Sequence, residues 1–79
     1  MNTDPWLVVT TVGSAADART LARDMVESRF AACAQVSAID SIYRWQGKVH
    51  AGSEWRVLFK TRPDAAPALV AAIRARHPY

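Results

Sequence analysis

Apolar positions along this chain switch between two spacings, and each switch marks an element. Trp6 to Val12 (W-L-V-V-T-T-V) is a short apolar, β-branched run bounded by Pro5 and Gly13, which predicts a strand covered on both faces. Ser14 then offers an N-cap, with Asp17 three residues on as a weak capping box. Ala18, Leu21, Ala22, Met25 and Val26 recur at helical spacing, so a helix is expected from about Ala15 to Ala32 with that stripe in the core. Cys33 to Trp45 is richer in β-branched and aromatic residues and reads as a long strand, with a bulge or bend where alternation breaks at Asp40 and Ser41. Gln46-Gly47-Lys48 supplies a hairpin turn. The return strand runs from about Lys48 to Thr61, with Gly52 a predicted irregularity and Trp55, Val57 and Phe59 alternating against Arg56, Leu58 and Lys60. Pro67 is tolerated in a first helical turn, which makes Asp64 the expected N-cap of a helix from roughly Ala65 to Arg76. Ala65, Ala68, Leu69, Ala72 and Ile73 would face inward, and Pro78 stops the helix.

The predicted order β-α-β-β-α makes up five of the six elements of the split βαβ, ferredoxin-like pattern, an α+β fold in which one further strand belongs to the sheet. The last strand is missing from this chain, so residues 1–79 are expected to be a single domain, incomplete at its C-terminus. An incomplete sheet exposes backbone groups that another segment or subunit must cover. Composition leads to the same need. With 51% hydrophobic and 22% charged residues the chain is globular in type. A core of this size rarely supplies more than about 3–5 kcal/mol unaided. The single cysteine, Cys33, rules out a disulfide within the chain and fits a reducing compartment, and Met1 to Asp4 lacks the basic start of a signal peptide, so a cytoplasmic location is expected. Other copies of the same chain are the expected supplement.

Charge and motifs exclude several tenants of this fold. The net charge of +3 comes from scattered residues, which is short of a nucleic-acid footprint, and no apolar run approaches a membrane span. A copper chaperone would carry C-x-x-C after the first strand, where this chain has Thr11-Val12-Gly13-Ser14. An acylphosphatase relies on Arg and Asn, and the only asparagine is Asn2. An RNA-recognition module stacks bases on sheet aromatics in a basic-glycine-aromatic context, whereas Trp55 and Phe59 lie among apolar neighbours. No serine sits in a G-x-S-x-G elbow, so no catalysis is expected.

V-V-T-T-V (Val8 to Val12), A-A-C-A (Ala31 to Ala34), S-I-Y-R-W-Q-G-K-V (Ser41 to Val49), F-K-T (Phe59 to Thr61) and H-P-Y (His77 to Tyr79) together resemble the CutA divalent-cation tolerance family, in register from Val8 to Tyr79. The resemblance implies a homotrimer of ferredoxin-like subunits related to the PII signalling fold, with long strands pairing across subunits and a further strand and helix beyond H-P-Y. Tyr43, Trp45, Gly47 and Trp55 on the hairpin then become trimer-interface residues. It also implies weak binding of Cu2+ or another divalent cation, with His77 and Cys33 as the metal candidates. The match is partial there: Thr10 or Thr11 occupies the position of the family's first-strand cysteine, and Arg76 precedes His77 in place of a second histidine. Cys33 reads first as a small buried hydrophobe, which leaves His77 the stronger metal candidate, although His77 reads equally as a cation at a helix C-terminus. His50 is left without a role. The alternative function is a PII-like sensor holding an anionic ligand between subunits through Lys60, Arg62 or Arg76, and a third is a purely structural trimer. The signalling partner is not specified by the sequence.

Overall fold

A computed structural model describes residues 6–77. The chain runs β1 (Trp6–Val12), α1 (Ala15–Glu27), β2 (Cys33–Trp45), β3 (Lys48–Thr61) and α2 (Ala66–Arg76). The strands form one antiparallel sheet in the order β1-β3-β2. This is the expected α+β arrangement, with β3 in the centre and a strand edge exposed on each side among the described residues.

Both helices pack on one face of the sheet. Val57 and Phe59 of β3 are fully buried there, with Val12 of β1, Leu21 and Met25 of α1, and Leu69 and Ile73 of α2. Directly opposed residues in an antiparallel pair share a face. Val8 and Ala34 therefore flank Phe59 from either side, and Thr10 and Val36 flank Val57. The alternate residues, Leu7, Val9, Leu58, Gln35 and Ile39, lie on the other face, which no described element covers.

Ser14 caps α1 as expected, its hydroxyl accepting from the Asp17 N–H at 3.1 Å. The helix ends at Glu27, five residues earlier than Ala32, because Arg29 takes a left-handed φ of 65° and the Phe30 and Ala31 N–H groups both return to the Met25 carbonyl. The extra apolar residues that lengthened the predicted helix are a turn: Ala31 is buried and the Ala32 N–H already donates to Lys60. Val26, expected in the core, is exposed because it lies at the flank of the stripe of Ala18, Leu21, Ala22 and Met25, beside an open groove shared with Ala34 and Val36.

Four further expectations are corrected. β1 is covered on one face only: Leu7 and Val9 are exposed, because the helices pack on a single side, while Trp6, on the helix-side face, is exposed at the start of the strand. There is no bulge at Asp40 and Ser41; the register runs unbroken from Cys33↔Lys60 to Trp45↔Lys48, and Gly52 sits in it opposite Ser41. Alternation fails there for a different reason. The ribbon has passed beyond the helices, so neither face demands apolar residues, and the Ser41 hydroxyl instead donates across the strands to the Glu54 carboxylate. Asp64 does not cap α2; it pairs with Arg62 at 3.4 Å, while Ala65 occupies the cap position and Ala66 N–H bonds the Arg62 carbonyl. Ala66, three residues before Leu69 on the same face, rather than Ala65 or Ala68 joins Leu69, Ala72 and Ile73 in the core; Ala65 is the cap residue and Ala68 is exposed. Pro78 lies outside the described residues.

Candidate functional site

Helix α2 delivers His77 to the edge of β1. Its backbone N–H closes the helix on the Ile73 carbonyl at 2.8 Å, after which the chain turns extended. Its Nε2 lies 2.8 Å from the Thr11 carbonyl oxygen. A carbonyl only accepts, so Nε2 carries the proton and donates. Metal-binding histidines are commonly oriented in this way, by a backbone carbonyl on one ring nitrogen. Beside it, Val8, Val9, Thr10, Val70, Ile73 and Arg74 line a groove of about 410 Å³ between β1 and α2.

One imidazole does not make a resident metal centre. No group of three or more His, Cys, Asp or Glu side chains that could hold an ion occurs among the described residues. Cys33, half-buried, is opposite Lys60, whose other neighbour is Leu7. That row crosses the end of the sheet opposite Thr11, so the two metal candidates, His77 and Cys33, are not brought together within one chain. The residues present do not fit a bound ion unless other copies add donors.

The three candidate anion-binding cations are likewise dispersed. Lys60 is on β3 in that open-face row. Arg62 is ion-paired with Asp64, both largely exposed. Arg76 lines a small groove with Asp17, Thr20, Leu21 and Asp24 of α1. They would share a ligand only across a junction between copies.

The hairpin residues fare differently. Beyond the helices, β2 and β3 continue as a bare two-stranded ribbon, which draws the molecule out to 45 × 27 × 20 Å. Tyr43 and Trp45 are 51% and 62% exposed on one face of it, and Ile42 and Val49 are 76% and 63% exposed on the other. Tyr43 stacks on His50 with ring centroids 5.7 Å apart, which gives His50 a packing role that sequence reasoning did not assign. Gly47 turns the ribbon with φ 77°, and Gln46 joins it at φ 50°. Trp55 is at the ribbon's base instead, opposite Val12 and Ala38, where it packs against the core. Sequence reasoning also missed the open face of β1 and β3, where Leu7 and Val9 are more than half exposed. An all-apolar strand is the signal of two covered faces, and it does not say what supplies each cover.

The topology, the single helical layer and the aromatic ribbon define a ferredoxin-like α+β fold with an apolar sheet face that no described element covers. The chain belongs to the CutA1 divalent ion tolerance protein family, whose pattern matches residues 6–79. The divalent-cation tolerance protein CutA of Thermus thermophilus is 46% identical over 74 residues, which is 92% of this chain and 72% of that protein. Human protein CutA is 43% identical over 63 residues, 78% of this chain but 35% of its own length. The structure of CutA from Synechococcus elongatus superposes with a TM-score of 0.92 at 37% identity, covering 99% of this chain and 70% of that one. This chain therefore spans between about a third and three quarters of these relatives.

Proposed function

We propose that this chain is a subunit of a homotrimeric, non-catalytic divalent-cation tolerance protein that binds Cu2+ or a similar cation weakly, through His77 and donors contributed by neighbouring copies. The observation that carries the reading is the uncovered apolar surface of Leu7, Val9, Tyr43 and Trp45 in a chain whose own core is small. Three-fold symmetry and the cation class are carried over from the family. Weakness follows from the donor set, since a lone imidazole per subunit lacks the thiolate and further imidazoles that copper favours. A cytoplasmic location is consistent with one unbridged thiol. No helix among the described residues is long and apolar enough to cross a membrane. Calorimetric titration with copper tests the metal reading: His77→Ala should flatten the isotherm, and identical isotherms for parent and variant would overturn it.

A second reading is a PII-like sensor of small anions. It requires a cleft between copies to gather Lys60, Arg62 and Arg76, which lie on three different surfaces of one chain. A thermal-shift screen of nucleotides and organic acids separates the two readings, since the tolerance protein responds to divalent cations and not to these anions.

A further inference from the structure

The sheet face turned away from the helices is apolar with charge in its middle. Leu7 and Val9 of β1, Ile39 of β2 and Leu58 of β3 lie on it. Arg56 of β3 sits among them, flanked across the strands by Thr11 and Ser37, which bring no charge to balance it. Glu54, two residues along β3, is the one acid among the strand residues of this face, since Asp40, opposite Ser53, is on the other. Its carboxylate is half-buried and accepts from the Ser41 hydroxyl, which holds it toward β2. Arg56 is exposed, and no ion pair among the described residues includes either side chain. Lys60 and Lys48 lie at the two ends of the face, where a long stem can carry the charge out to water. Arg56, in the middle, would have no such exit once the face were covered, and a charge taken out of water is tolerated only with a partner. A strand added at either edge extends the sheet in its own plane and leaves this face as it is.

We propose that where copies of this chain meet through this face, Arg56 of one copy pairs with Glu54 of the next. The pair rests on the homotrimeric reading above and adds to it the contact that fixes the register between copies. A second copy is the occupant because the face is complementary to itself: each chain offers one central guanidinium and one carboxylate, and a head-to-tail contact that closes as a ring satisfies all of them. Ser41 is a positioning residue, turning the carboxylate that the neighbour's guanidinium meets.

Sedimentation across a dilution series compares the parent with Glu54→Gln and Arg56→Gln, with circular dichroism to follow folding. Glu54→Gln keeps an acceptor for Ser41 and removes only the charge. Each variant should associate at least about 30-fold more weakly than the parent, as when one member of a desolvated charge pair is lost. The two variants mixed in equal amounts, at the same total concentration, should associate more tightly than either alone, because a chain retaining Glu54 then meets one retaining Arg56. Mixing rescues in the same way a variant too weak to assemble or fold by itself. No gain on mixing would mean a pair closed within one chain, or two residues acting separately, and would overturn the proposal. So would variants that assemble like the parent. A parent that stays a single chain at every concentration refutes the homotrimeric reading itself, and the pair with it.

Discussion

Phe59→Ala removes the side chain on which the single core is built. Phe59 is fully buried on the central strand, between Val8 on β1 and Ala34 on β2, in a cluster that also holds Met25 and Leu69. Truncating a buried phenylalanine costs about 3–5 kcal/mol, the transfer term plus the cavity. A chain of this length is held by about 4–12 kcal/mol at the usual 0.05–0.15 kcal/mol per residue. A lone subunit sits toward the lower end of that range, since its sheet is helix-covered on one face only. The loss is then comparable to the whole stability of the subunit, and Phe59→Ala should be largely unfolded at 25 °C, while Phe59→Leu should cost about 1 kcal/mol and stay folded. Urea unfolding followed by the fluorescence of the three tryptophans, at one fixed protein concentration, reads both. A cost below about 1 kcal/mol for Phe59→Ala would refute the assignment of the core to this face of the sheet.

Thr61→Val should cost about 1–2 kcal/mol in the same assay, because the buried Thr61 hydroxyl donates to the Phe30 carbonyl at 3.0 Å and its loss leaves that carbonyl without this donor. Ser14→Ala should cost about 1 kcal/mol, while Ser14→Gly costs only a few tenths, if the cap on Asp17 N–H holds α1 as described. Trp45→Ala should leave the stability of a dilute single chain nearly unchanged but weaken assembly by roughly 3 kcal/mol per subunit, the value of covering its exposed 62%; sedimentation across a dilution series measures it.

How much of this was legible beforehand depended on whether the pattern had a local cause. The helix start at Ser14, the hairpin at Gly47 and the long paired strands follow from caps, turn chemistry and β-branched runs, and they fall where expected. The end of α1 did not, because a left-handed Arg29 is not a residue that announces a C-cap as glycine would. The apparent break at Asp40 and Ser41 was read as a bulge when it marks the point where the ribbon leaves the helices behind. The misreading of β1 has the widest consequence. Alternation distinguishes covered faces from wet ones, but it carries no information on whether the cover comes from the same chain, and that question also governs the site. His77 and the hairpin aromatics were found from motif resemblance. That His77 is turned by Thr11, and that Cys33 lies across the sheet from it, required coordinates.

Sedimentation equilibrium of the intact chain at micromolar concentration tests the central claim most directly. The account predicts a particle of three times the 8.7 kDa chain mass, with Trp45 fluorescence blue-shifted relative to the dissociated chain. A folded particle of one chain mass at that concentration, with Trp45 open to aqueous quenchers, would contradict it.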